Sequence, residues 1–137
     1  MNFDEFTGEV QNRLELSDTG ETIRAIRAVL TTLGERLQAG EASNLAAPLP
    51  MEIDRYLLEA DSGQRFDWDE FVDRVWEREE MTDPDDRADA VYHARVIVSI
   101  LDDVLPSNEV RQLRNQFPED EDWDNLFELI DVDDDTG

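Results

Sequence analysis

The sequence predicts an all-α fold, an eight-helix bundle made of two tandem four-helix repeats related by a pseudo-twofold axis. Three observations carry the prediction. Phe3-Asp4-Glu5-Phe6 returns as Trp68-Asp69-Glu70-Phe71. Apolar residues recur at three-and-four spacing behind each copy, the signature of helices buried along one face. Alternation with a period of two never lasts beyond a few residues, so no strand is predicted. A unit of roughly 60 residues buries too small a fraction of its surface to stand comfortably alone, which favours two copies sharing one interior.

Phe3, Phe6, Val10 and Leu14 form the apolar stripe of a first short helix, and Trp68, Phe71 and Val75 that of its counterpart. Asp18 with Glu21 three residues on reads as a capping box opening a longer helix, and Asp83-Pro84 with Asp86 opens the equivalent one. Ile23, Ile26, Leu30, Leu33 and Leu37, matched by Val91, Ala94, Val98, Leu101 and Leu105, make these the central helices. The offset between copies grows from 65 (83 minus 18) to 68 (105 minus 37), so the second copy holds three extra residues, absorbed by a loop or an added turn. Gly40, and Asn108 at the equivalent place, are expected to end the central helices in the left-handed conformation. A third short helix carries Leu45 and Leu49, or Leu113 and Phe117, ended by Pro50 or Pro118. A fourth carries Ile53, Tyr56 and Leu57, or Trp123, Leu126, Phe127 and Ile130. Residues 1–60 therefore form the first repeat, 61–67 a short linker and 68–130 the second repeat, all in one compact domain. Residues 131–137 form a disordered acidic tail.

Beyond the repeated Phe-Asp-Glu-Phe pattern, the first copy contains Arg27-Ala28-Val29-Leu30, Leu33-Gly34-Glu35-Arg36-Leu37 and Leu45-Ala46-Ala47-Pro48-Leu49-Pro50. In these segments the chain resembles the domain of unknown function 2267 family (DUF2267) over almost its whole length, as a haloarchaeal-type member. The resemblance implies a helical fold of two such units and supplies no activity. The second copy departs from the pattern, with Arg95-Val96-Ile97-Val98 for the arginine segment and Gln116-Phe117-Pro118 for the leucine-proline ending. Both departures conserve packing.

Acidic residues number 36 against 12 basic ones, for a formal charge of −24, and every basic residue is arginine. Such a surface repels itself in dilute buffer, while molar salt shortens the Debye length to about 3 Å and removes most of that penalty. Guanidinium groups are weakly hydrated and keep bidentate carboxylate pairs where water is scarce. These features point to a protein of the salt-rich cytoplasm of a halophile, with salt cations loosely held at acidic faces such as Asp69 with Asp73, and Asp85, Asp86 and Asp89. The acids are spread along both repeats, which speaks against mimicry of a nucleic acid, and no basic stripe exists for direct nucleic-acid binding. Cysteine is absent, excluding disulfides and thiol chemistry. The start lacks the pattern of a signal peptide, and the most apolar run, residues 96–101, falls far short of the ~20 needed to span a bilayer, so no membrane association is expected.

Four arginines stand out. Arg27 and Arg95 occupy equivalent places in the apolar central helices, and Arg13 and Arg78 lie near the ends of the first helices. Each is expected to meet a carboxylate, with the Asp4-Glu5 and Asp69-Glu70 pairs as candidates, since an unpaired buried charge costs several kcal/mol. The alternative is an anion site formed by paired arginines at the repeat interface. His93, four residues after Asp89, reads as a packed helix histidine. Asp120, Asp122 and Asp124, with Asn125, Glu128 and Asp131, imitate the spacing of a calcium loop, but Asn125 replaces the turn glycine and the apolar pattern demands a helix there. No metal site is therefore predicted. Trp76, whose counterpart is Gln11, is expected to cover the core within the chain, with a partner-facing patch as the alternative, and it and Tyr92 are the candidate interface residues. No catalytic residue and no cofactor are predicted. The sequence reads as a non-enzymatic protein-interaction or structural module, associating with an unidentified protein partner or with itself. The alternative is a small-anion or ligand-binding regulator.

Overall fold

Helix starts in this chain are set by side chains that accept the otherwise unpaired first N–H groups. In the computed structural model, which describes residues 1–119 and 121–131, Asn2 caps α1 (Phe3–Leu14), accepting from the Glu5 N–H at 2.8 Å. Asp18 caps α2 (Thr19–Arg36), accepting from Glu21 at 2.7 Å. After α3 (Ala39–Ala46) and α4 (Met51–Leu58), Asp67 caps α5 (Trp68–Arg78) through Glu70 at 2.9 Å. Each such cap contributes about 1 kcal/mol. The second half continues with α6 (Arg87–Val104), α7 (Ser107–Asn115) and the four-residue α8 (Glu121–Asp124). Every regular element among the described residues is helical.

The apolar stripes meet in the middle. α1 packs against α2 and α6, α5 packs against α2 and α6, α4 lies along α2, and α3 touches both α4 and α7. One buried cluster runs through both halves, with Phe6, Ile26, Leu30 and Leu33 from the first and Phe71, Ile97, Ile100 and Leu101 from the second. Its aromatic end joins Trp68, Phe71, Phe117 and Trp123, with ring centroids 4.5 to 5.6 Å apart.

Where three extra residues are expected before the second long helix, a 3-10 turn, Pro84–Asp86, is capped by Asp83. Gly40 and Asn108 do not end the central helices. Both central helices stop on a buried leucine in extended conformation, Leu37 and Leu105, and the glycine and asparagine fall inside the first turns of α3 and α7. Among the described residues the left-handed ones are Glu15 and Glu80, after α1 and α5, and Gly63. A tighter turn suffices at the central helices because the chain re-enters a helix within two or three residues. The fourth helix of the second half is also broken, running as α8, a 3-10 turn Asn125–Phe127 and a helical turn over 128–131.

The linker is fastened down. Gly63, at φ +82°, donates to the Leu37 carbonyl at 2.7 Å, and Gln64 donates to that of Glu35 at 2.9 Å, so the connection also satisfies the open carbonyls at the end of α2. The predicted tail from residue 132 onward lies outside the described residues.

Candidate functional site

Three of the four predicted arginines find acceptors, and none finds the ones expected. Arg78, at the end of α5, reaches back to α2 and donates to both oxygens of Glu35, at 2.5 and 2.9 Å, and to the Thr32 hydroxyl at 2.8 Å. Arg13, at the end of α1, donates to Glu9 at 2.8 Å, to Asp103 of α6 at 3.2 Å and to the Ser99 hydroxyl at 3.3 Å. Arg95 donates to the backbone and side-chain oxygens of Asn125 at 2.8 and 2.9 Å and lies 2.8 Å from a Glu128 oxygen. Asp4, Glu5 and Asp69 stay exposed on the first turns, where they face solvent and the positive ends of the helix dipoles. Only Glu70 of that set is used, by Arg74 at 2.9 Å.

Arg27 is different. It is exposed on α2 and, among the described residues, makes no hydrogen bond or ion pair. It lines a cleft of about 710 Å³ between α2, α4 and the end of α5. Residues 20, 23, 24, 27, 28 and 31 of α2 fall at helical spacing, so one face of that helix forms the floor. Arg55 and Tyr56 enter from α4, Arg78 and Glu80 from the end of α5. With Arg24 the cleft gathers four of the 12 arginines of a chain that carries 36 acids, a concentration of positive charge against the trend of the whole surface. Two of the four are occupied: Arg78 by Glu35, and Arg24 by Glu80 at 3.0 Å. Arg27 and Arg55 have no carboxylate partner, and Arg55 leans over the Tyr56 ring with its guanidinium carbon 5.6 Å from the centroid.

The remaining candidates are consumed by the fold. His93 pairs with Glu79 at 2.7 Å, both largely buried. Asp120 of the calcium-like run lies outside the described residues. Asp122 and Asp124 are exposed on α8, Glu128 is taken by Arg95, and Asp131 by Arg114 at 2.5 Å. Among the described residues no group of three or more His, Asp or Glu side chains could hold a metal ion. Trp76 is half-buried, packed on the core, with its indole N–H donating to the Asp83 carbonyl at 2.9 Å. It covers the start of the 3-10 turn. Tyr92 remains 45% exposed on α6.

Sequence reasoning missed the buried charges. Glu35, inside α2, is held by Arg78 and by Arg74 at 3.2 Å. Burial works to raise its carboxyl pKa, but the hydrogen bonds and charges of the two arginines prevail and hold it below the ordinary value. Arg36, 8% exposed, donates to the Phe66 carbonyl at 3.0 Å and stacks over Phe117 and Trp123. On α3, Glu41 is 7% exposed with one carboxylate oxygen buried and unpaired, and Glu109 of α7 has one as well. An available signal was the spacing, because Glu41 and Glu109 are 68 apart (109 minus 41), the offset of the central helices.

No helix among the described residues is long and apolar enough to cross a membrane. The chain has no significant match among curated proteins. A family model described as "Uncharacterized conserved protein (DUF2267)" matches residues 3–123, nearly the whole of both helical halves, and the chain belongs to that family.

Proposed function

We propose that this chain is a non-enzymatic, anion-binding helical module of a halophile's cytoplasm, acting as a regulator whose ligand sits between Arg27 and Arg55. The single observation that carries the reading is the unequal fate of equivalent residues in the two halves. Arg27 and Arg95 are 68 apart (95 minus 27), and in the fourth helices, where Ile53 answers to Trp123 at 70 (123 minus 53), Asn125 answers to Arg55. The second half thus sets a donor, Arg95, against an acceptor, Asn125, and adds the Glu128 carboxylate. The first half sets two guanidinium groups into one cleft, neither paired with a carboxylate among the described residues. Two guanidinium groups in one cleft, neither held by a carboxylate although Glu59 also lines it, leave donors that a bound anion satisfies with bidentate, charge-assisted hydrogen bonds.

Arg55 and Asn125 correspond as members of two copies about a pseudo-twofold axis. That reading is supported by exchange contacts: α1 against α6 mirrors α5 against α2, and Arg13 reaching Asp103 mirrors Arg78 reaching Glu35. Partner association, the other reading of the sequence, is supported by the exposed Tyr92, while Trp76 is half-buried against the core.

Thermal unfolding in potassium phosphate against potassium chloride at equal ionic strength tests the function. Saturating phosphate should raise the midpoint by about 3 °C or more. Arg27→Gln should abolish that rise, while Arg111→Gln, an exposed arginine of α7, should leave it intact. Equal midpoints in the two salts for the unaltered protein would remove the basis of the reading.

A further inference from the structure

Resting on the anion-binding reading, we infer that the ligand of this cleft is an organic phosphate monoester, its phosphate held between Arg27 and Arg55 and a neutral, partly apolar body seated toward Ile23, Ala28 and Tyr56. Three properties of the cleft narrow the ligand to this class.

Charge comes first. Arg24 is neutralised by Glu80 and Arg78 by Glu35, so two guanidinium groups remain free. A monocarboxylate would satisfy one of them, whereas a phosphate monoester carries about −1.5 to −2 near neutral pH and three acceptor oxygens. Planar guanidinium forks match phosphate oxygens two at a time, and a spherical chloride cannot use that geometry, which lets the site discriminate in concentrated salt.

Size comes second. At about 710 Å³ the cleft lies within the range of pockets for whole organic ligands, roughly 300–1,000 Å³, and inorganic phosphate would leave most of it to solvent. The lining away from the guanidinium groups is suited to a body of mixed character, with Ile23, Ala28 and the half-buried Tyr56 ring.

The third property is the arrangement of acids. Glu59 of α4 and Glu80 both line the same cleft. Glu80 is occupied by Arg24, which leaves the Glu59 carboxylate to oppose a second anionic group on the ligand, disfavouring diphosphates and polyanionic chains and favouring one phosphate on an uncharged body.

Isothermal titration of the full chain in about 1 M KCl, where screening confines electrostatics to ~3 Å, decides the matter with phenyl phosphate, inorganic phosphate, benzoate and pyrophosphate as probes. Phenyl phosphate should bind about tenfold or more tightly than each of the others. Arg27→Gln and Arg55→Gln should each weaken phenyl phosphate binding by about tenfold or more, with helicity unchanged by circular dichroism. Inorganic phosphate binding as tightly as phenyl phosphate, and sensitive to Arg27→Gln, would overturn the monoester inference while leaving the anion reading in place. So would pyrophosphate or benzoate binding most tightly with the same sensitivity. Absence of binding by every probe, or binding indifferent to both substitutions, would overturn the inference and the anion reading together.

Discussion

Gly34 and Gly8 show how one residue type serves opposite ends. At Gly34 a β-carbon would stand 2.8 Å from that of Ala60 and 2.9 Å from the Leu57 carbonyl oxygen, so the bare backbone is what lets α2 and α4 close together. The obstacle is partly backbone and cannot swing away. Gly34→Ala should destabilise the protein by about 1–3 kcal/mol. Gly8 lies inside α1 with nothing within 4 Å of its would-be β-carbon, and there Gly8→Ala should stabilise by about 0.5–1 kcal/mol, since it only reduces the freedom of the unfolded chain. Urea unfolding of the two variants beside the parent checks both signs in one experiment. The same contrast governs the arginines. Arg27 and Arg95 are indistinguishable by position in the sequence, and what separates them is the residue opposite, Arg55 or Asn125, contributed by a helix some thirty positions further on. A sequence shows which residues recur, and only the packed chain shows which of them are answered.

At the scale of elements, two carboxylates titrate in opposite senses and make the seams of the bundle respond differently to pH. Glu41, where α3 meets α7, has its pKa raised by burial and then by the Glu109 charge, with a hydrogen bond to Asn44 offsetting part of the effect. Its folded form therefore holds a proton more tightly than the unfolded chain. The stability this supplies is present below the ordinary glutamate pKa and is lost as pH rises through the folded value. Glu35, where α2 meets α5, is the reverse case, because its lowered pKa supplies stability above the ordinary value that disappears on acidification. Glu41→Gln should accordingly raise the urea midpoint near neutral pH and lose that advantage below about pH 4, while Glu35→Gln should lower the midpoint near neutral pH and converge on the parent as acid removes the difference. An Glu41→Gln protein weaker than the parent at neutral pH would mean that the pair is held as a charged structural element. These seams mark where sequence reading stops. The helices, their caps at Asp18 and Asp67 and their buried stripes follow from local spacing, which each helix carries within itself. The ends of α2 and α6 do not, because buried leucines and the next helix decide them. Ion pairs across helices depend on the angle at which elements meet, and no local pattern encodes that angle.

For the whole molecule, stability is a contest between one shared interior and a surface with 24 uncompensated negative charges. The arginines cannot resolve it, since many are committed inside or across seams, as Arg36 is to carbonyl oxygens and aromatic rings and Arg78 to Glu35. Screening is the remaining remedy, and its range contracts from about 10 Å at 0.1 M to about 3 Å at 1 M. The urea midpoint should therefore climb steeply up to about 1 M KCl and flatten beyond it, with sodium and tetramethylammonium chlorides giving nearly the same curve below the plateau. Similar curves are expected because loosely collected cations act through ionic strength and not through fitted coordination. Substitutions should divide along the same line. The loss from Arg24→Gln, whose partner Glu80 is exposed, should fade with added salt, whereas that from Glu35→Gln, at a buried pair, should persist in concentrated KCl. A midpoint that did not change with salt would place the compensation for the surface charge within the fold itself, and the acidic composition would then need a reason other than life in brine.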